Sequence, residues 1–196
     1  MKLNLAIILV VGLLTYGITV YFDHPAPKSD KIQAATAELA SSPASAETGE
    51  RVPDFSFTTL DGRRVNIGDF EDKTVMLNFW ATWCAPCVKE FPILIGIAEE
   101  YKDDVVFIAL SSDLEQNAID RFLAKLEKDS GVSVKAENIL IALDENQAVT
   151  QKIFQTYRLP ETILIDKHQK LRQKIAGADW RREDITSVIE TFNQEP

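Results

Sequence analysis

The chain has 196 residues, of which 45% are hydrophobic, and its 30 acidic and 21 basic residues give a formal net charge of −9. This length accommodates one globular domain with additional segments. The acidic balance and the lack of a basic stripe argue against a nucleic-acid-binding protein.

The first predicted element is an apolar segment, residues 3–22, which contains no charged side chain. A helix of about 20 residues is about 30 Å long, which matches the hydrocarbon core of a bilayer. We therefore expect residues 1–22 to form a transmembrane anchor, with Lys2 on the cytoplasmic side. A cleaved signal peptide is the alternative, although its apolar core is usually shorter, about 7–15 residues. Both interpretations place the remaining chain outside the cytoplasm.

Residues 23–50 are predicted to form a flexible linker. This segment is rich in Ala, Ser, Pro, Lys and Glu, and Pro25, Pro27 and Pro43 interrupt any regular element. Such a composition is typical of a tether between a membrane and a domain. The alternative is a folded extension of the domain that we expect over residues 51–196.

The domain is predicted to begin with a β-hairpin and a buried strand. Residues 55–58 and 63–67 are the hairpin strands, and the Leu-Asp-Gly-Arg sequence between them is a turn signal. The apolar run over residues 74–80 predicts a central strand that is buried on both faces.

The only two cysteines, Cys84 and Cys87, follow this strand and stand at the start of a helix predicted over residues 85–101. Side chains three positions apart on a helix are neighbours, about 5–6 Å apart, which suits the Cα separation of a disulfide. The pair can therefore open and close with little backbone movement. A position at the helix N-terminus also stabilises the thiolate of Cys84.

Two other interpretations of the cysteines, a structural disulfide and a zinc site, have less support from the sequence. A structural disulfide across so short a loop constrains the unfolded chain very little. A structural zinc site usually needs four ligands. The two histidines are His24, which lies in the linker, and His168. We therefore predict no metal and no cofactor.

The rest of the chain alternates between strand and helix patterns and ends in a hairpin and a helix. This order predicts an α/β domain with a mixed central sheet flanked by helices. The predicted elements are strand 105–110, helix 118–128, strand 139–143, helix 147–155, strands 162–166 and 171–175, and helix 183–192.

Four sequence motifs resemble those of the membrane-anchored, TlpA-like thioredoxins, a group that includes ResA and CcmG, the reductases of cytochrome c maturation. The similarity covers about residues 51–193. The motifs are Asn-Phe-Trp-Ala-Thr-Trp-Cys-Ala-Pro-Cys at 78–87 with Lys-Glu-Phe-Pro at 89–92, Val-Pro-Asp-Phe at 52–55, Leu-Asp-Gly at 60–62, and Leu-Pro-Glu-Thr-Ile-Leu-Ile-Asp at 159–166.

The resemblance implies a thioredoxin fold with an N-terminal β-hairpin and an insertion at about residues 114–143, before the half that carries Pro160. It also implies a redox-active disulfide between Cys84 and Cys87. Cys84 is expected to attack a partner disulfide, and Cys87 to resolve the mixed disulfide that forms.

Glu90 is the third predicted catalytic residue. Helical spacing places it on the side of the thiol pair, where apolar surroundings raise the pKa of a carboxyl group. A glutamate at this place is assigned to tuning the thiols in ResA and CcmG. Ordinary thioredoxins use a buried aspartate on the preceding strand instead, and the corresponding Asn78 cannot titrate. A solvated helix residue is the alternative for Glu90.

The resemblance also implies a substrate-binding surface. Trp83 is expected to cover the thiols and to offer partners a flat apolar contact, and Pro86 fits the first helical turn. A cis Leu159–Pro160 bond is expected to face the disulfide and to leave the backbone before it free to pair with a substrate strand. Glu161 is expected to influence partner choice, with a plain surface residue as the alternative.

The leading functional hypothesis is a single-pass protein of the cytoplasmic (inner) membrane with its catalytic domain in the periplasm or extracytoplasmic space. There it reduces disulfides of exported proteins such as apocytochrome c. A membrane thiol donor of the DsbD or CcdA type supplies the electrons, by family implication. The alternatives are an oxidase or isomerase, a non-enzymatic binding module, and a thiol peroxidase, although no proline lies in the five positions before Cys84.

Overall fold

The computed structural model describes residues 48–195. The predicted anchor, residues 1–22, and nearly all of the predicted linker lie outside these residues. Among the helices of the described part, none is long and apolar enough to cross a membrane.

Seven strands and three α-helices make up the described domain, with bounds that differ from the predicted ones by at most two residues. In chain order they are β1 (Ser56–Thr58), β2 (Arg64–Asn66), β3 (Thr74–Trp80), α1 (Ala85–Glu100), β4 (Val105–Ser111), α2 (Gln116–Ser130), β5 (Ile139–Leu143), β6 (Glu161–Ile165), β7 (Leu171–Ala176) and α3 (Arg182–Gln194). Two 3-10 helices, Ile67–Phe70 and Glu145–Gln147, join neighbouring elements.

The strands form a two-stranded hairpin and a mixed five-stranded sheet. Strands β1 and β2 pair antiparallel, as predicted. The larger sheet has the order β5-β4-β3-β6-β7, in which β3, β4 and β5 are parallel and β6 and β7 run antiparallel. The predicted insertion is present as α2 and β5, and it places β5 at one edge of the sheet.

Strands β3 and β4 are buried along their whole length because both faces of the sheet are covered. All three α-helices pack on one face, where Met76, Trp80 and Phe107 contribute to the core. The N-terminal hairpin and the segment 148–154 cover the opposite face, with Phe57 and Phe154 among the buried side chains. Because β3, β4 and β5 are parallel, their carboxyl ends meet along one edge of the domain.

The prediction of a helix over residues 147–155 is wrong. The chain forms a short 3-10 helix and then irregular turns, because Asn146 and Gln147 have positive φ angles of 55° and 51°, which a right-handed helix cannot contain. The Asp144 carboxylate also accepts the N–H groups of Val149 and Thr150, at 3.0 and 2.7 Å. A side chain thus replaces the carbonyl partners that a helix would supply.

Candidate active site

The two cysteines lie where β3 passes into α1. Cys84 is the N-cap of α1, and its sulfur accepts the backbone N–H of Cys87 at 3.3 Å. Pro86 stands in the first helical turn, where no N–H donor is needed. The sequence therefore places the thiol pair at the positive end of a helix of 16 residues.

Cys84 and Cys87 form a disulfide with a Cα separation of 5.2 Å. The two cysteines differ in solvent exposure, since Cys84 is 7% exposed and Cys87 is fully buried. The preceding Trp83 is 67% exposed and stands beside the disulfide. This arrangement makes Cys84 the residue that an outside disulfide can reach.

Glu90 is buried, with only 4% of its surface exposed, rather than solvated on the helix surface. One carboxylate oxygen accepts the indole N–H of Trp180 at 2.9 Å, and the other accepts the amide of Asn78 at 3.2 Å. The same Asn78 amide donates to Thr162 on β6 at 3.0 Å. Glu90 therefore belongs to a buried polar cluster that joins α1, β3, β6 and the segment before α3.

Burial raises the pKa of Glu90, and the hydrogen bonds from Trp180 and Asn78 oppose this rise only in part. A carboxyl group whose pKa is raised exchanges protons closer to neutral pH than an exposed glutamate does. Glu90 is three residues beyond Cys87 on the same helix, so the two buried side chains lie one turn apart on one face.

A groove of about 470 Å³ lies against the exposed side of the disulfide. Trp83, Pro86 and Leu159, three of the predicted substrate-binding residues, line it together with Cys84. The other lining residues are Ser112, Gln147, Thr150, Gln151, Thr156, Tyr157 and Arg158.

The Leu159–Pro160 bond is cis, as predicted. Pro160 is buried and its carbonyl accepts the N–H of Gly177 at 2.8 Å. The N–H and C=O groups of Leu159 form no hydrogen bond with another residue of the range 48–195. Glu161 does not line the groove; its carboxylate accepts the hydroxyl of Thr156, which does.

Two residues that the sequence analysis did not select hold the loops around the disulfide. Asp113, just beyond the end of β4, accepts the N–H of Thr82 at 2.9 Å and its hydroxyl at 2.6 Å. Trp180 holds Glu90, as described above. An acidic residue at the carboxyl end of a strand next to the cysteine loop was a usable signal for Asp113. No signal in the sequence connects Trp180 with a residue 90 positions away.

We expect Asp113→Ala to lower the free energy of unfolding by about 1–3 kcal/mol, because the buried Ser111 hydroxyl and the half-buried donors of Thr82 lose their acceptor. The loop before Cys84 loses its anchor at the same time, so alkylation of the reduced protein should change in rate. Urea unfolding and iodoacetamide kinetics measure the two effects. The exposed Asp103 provides the control: if Asp103→Ala has equal effects, Asp113 has no special role in holding this loop.

No group of three or more His, Cys, Asp or Glu side chains that could hold a metal ion occurs within residues 48–195. His24, considered above as a zinc ligand, lies outside the described residues. The two cysteines are joined to each other. A disulfide at a helix N-terminus, with one of its cysteines reachable from outside, supports thiol–disulfide exchange.

Comparison with known proteins agrees with this geometry. Residues 47–189 match the Redoxin family. The chain belongs to the Redoxin family. The thiol-disulfide oxidoreductase ResA of Bacillus thuringiensis subsp. konkukian is 33% identical over 138 residues, which cover 70% of this chain and 74% of that protein. ResA of Geobacillus kaustophilus is 30% identical over 145 residues, with coverages of 74% and 77%.

Solved structures show the same fold. A Chlorobium tepidum protein assigned as the thiol:disulfide interchange protein DsbE superposes with a TM-score of 0.63 at 27% identity, covering 76% of this chain and 99% of that one. The Mycobacterium tuberculosis DsbF structure superposes with a TM-score of 0.61 at 24% identity, covering 72% and 98%. The expected thioredoxin fold and ResA/CcmG type are confirmed, and the chain is a thiol–disulfide oxidoreductase.

Proposed function

We propose that this protein is a membrane-tethered reductant of disulfides in exported proteins, with oxidised apocytochrome c as the type of substrate. The observation that carries the proposal is the Cys84–Cys87 disulfide at the start of α1, on the same helix as the buried Glu90. The apolar segment over residues 3–22 supplies the anchor and exports the domain. A membrane thiol donor of the DsbD or CcdA type restores the dithiol, because an oxidising compartment does not.

The reductive cycle begins with the dithiol form. The Cys84 thiolate attacks one sulfur of the substrate disulfide; the new Cys84–substrate S–S bond forms as the substrate S–S bond breaks, and the leaving sulfur departs as a thiolate. Cys87 then attacks the Cys84 sulfur and releases the second substrate thiolate. The substrate gains two electrons and two protons, and the enzyme is left with the Cys84–Cys87 disulfide.

Glu90 supplies the proton acceptor that the second step needs. Cys87 is fully buried, so water does not readily take the proton of its thiol. An ionised Glu90 one helical turn away accepts that proton, which leaves a Cys87 thiolate and a neutral carboxyl group. The raised pKa of Glu90 favours this transfer because it makes the carboxylate a stronger base.

The groove beside Cys84 supports binding of an extended substrate segment. The Leu159 N–H and C=O have no partner among the described residues, and they lie at the wall of the groove next to Trp83 and Tyr157. Backbone pairing to Leu159 holds a substrate without regard to its sequence, as added strands do in other complexes. The exposed rings of Trp83 and Tyr157 add apolar contact.

The reduction potential tests the proposed direction of electron flow. We expect equilibration of the purified protein with glutathione to give a value near that of thioredoxin, about −270 mV, and below about −200 mV. The reduced protein should also convert an oxidised apocytochrome c to its dithiol, while the variant with both Cys84 and Cys87 replaced by serine should not. A potential near the DsbA value of about −120 mV would reverse the direction and make the protein an oxidase.

A further inference from the structure

We propose that Trp180 is a positioning residue of the redox site: its indole N–H holds the Glu90 carboxylate in the orientation in which that carboxylate exchanges a proton with Cys87. The inference rests on the proposed role of Glu90 and extends it to a segment at the other end of the domain. Trp180 lies between β7 and α3, 90 residues from its partner. The C-terminal segment thereby becomes part of the site.

The hydrogen bonds of Glu90 show how its orientation is fixed. Each carboxylate oxygen has one donor, Trp180 Nε1 on one side and Asn78 Nδ2 on the other, at 2.9 and 3.2 Å. The Asn78 amide is itself held by Thr162, but its own oxygen is buried without a partner. Trp180 provides the shorter of the two bonds, and its ring packs against the core that α1 helps to form.

The hydrogen bond from the indole favours one protonation state of Glu90. An indole N–H donates a hydrogen bond and accepts none, so it stabilises the charged carboxylate more than the neutral acid. Burial has the opposite effect on Glu90. The hydrogen bond from Trp180 therefore lowers the pKa of Glu90 and favours its ionised form, which is the form that takes the Cys87 proton.

Among the described residues, no charged group on the neighbouring elements forms a hydrogen bond or ion pair with the Glu90 carboxylate. Lys89, next to Glu90 on α1, forms no hydrogen bond or ion pair with the Glu90 carboxylate, whose donors are Trp180 and Asn78. Glu161 on β6 accepts the hydroxyl of Thr156. Arg181 pairs with Asp184, and Arg182 pairs with Glu100. Asp179 and, on β7, Arg172 and Lys174 likewise do not bond to it. Cys87, one turn before Glu90 on the same helix, is the group that we take to exchange a proton with it once the disulfide is reduced.

Trp180→Phe tests the inference, since phenylalanine keeps an aromatic ring and removes the donor. A mixed disulfide between Cys84 and thionitrobenzoate is prepared, and its resolution by Cys87 is followed from pH 5 to 9 by the absorbance of the released thionitrobenzoate. We expect Trp180→Phe to move the rate profile toward higher pH and to slow resolution at pH 7 about tenfold, the effect of losing one hydrogen bond to a charged group.

Two controls separate positioning from a general effect on folding. In the Glu90→Gln background, Trp180→Phe should no longer move the pH profile, because the group it acts through cannot ionise. Tyr101→Phe removes another hydrogen bond between the end of α1 and α3, from Tyr101 to Glu190 at 3.0 Å, and should leave the profile in place. Thermal unfolding of every variant records the loss of stability separately.

The outcomes distinguish this inference from the proposed function. An unchanged profile in Trp180→Phe, or an equal shift in the Glu90→Gln background, overturns the role of Trp180 while Glu90 keeps its own. If Glu90→Gln behaves like the wild type, both the role of Glu90 and the inference are wrong. If the wild-type protein does not resolve the mixed disulfide at all, the assigned exchange chemistry fails as well.

Discussion

Replacing Cys84 by serine should lower disulfide reductase activity by at least about 10³-fold, whereas Cys87→Ser should stop the cycle after its first step. The reason is the difference in access. Cys84 caps α1 at the edge of the groove, and Cys87 is fully buried behind it. An outside disulfide meets Cys84 first, and with serine at position 87 nothing resolves the mixed disulfide that follows.

Trapping with the two single variants measures this order. In cells that express the full-length protein, Cys87→Ser should carry a covalently linked partner that is released by dithiothreitol, and mass spectrometry of that partner identifies the substrate. Cys84→Ser is the matched control, since it retains one thiol and should capture very little. Capture through Cys87 in Cys84→Ser would contradict the assigned roles of the two cysteines.

The parts of the fold that depend on local patterns were predictable from the sequence. The apolar run of β3 and the hairpin turn signal before it gave elements that the structure confirms. The segment 147–155 failed because its outcome depends on the side chain of Asp144, which takes the N–H groups that a helix would use. A competition between a side chain and the backbone is not visible in hydrophobic periodicity.

The candidate site was also only partly predictable from the sequence. The cysteine spacing gave the disulfide, and helical spacing gave the inward position of Glu90. The contacts from Trp180 and Asp113 are long-range in sequence, at separations of 90 and 31 residues, and depend on how the loops close. For Glu161 the motif indicated an influence on partner choice but not the contact within the domain, in which its carboxylate accepts the hydroxyl of Thr156.

The second large effect concerns the helix that carries the thiols. Phe91→Ala should lower the free energy of unfolding by about 3–5 kcal/mol, since a fully buried ring is replaced by a methyl group. The Phe91 ring centroid lies 4.2 Å from that of Trp80, 5.8 Å from Phe107 and 5.5 Å from Phe122. Removing it leaves a cavity at the centre of this aromatic cluster.

Urea unfolding of the oxidised protein measures the loss, and Ile93→Ala on the same helix is the matched control. Ile93 is 44% exposed, so its truncation should cost less than about 1 kcal/mol. Because a domain of this size has about 5–15 kcal/mol of stability in total, Phe91→Ala should remove a large share of it. Equal losses in the two variants would mean that α1 does not depend on this cluster. If the cluster does anchor α1, Phe91→Ala should also slow resolution of the Cys84 mixed disulfide. The reason is that α1 carries both Cys87 and Glu90, which reach their positions only when the helix is packed against β3.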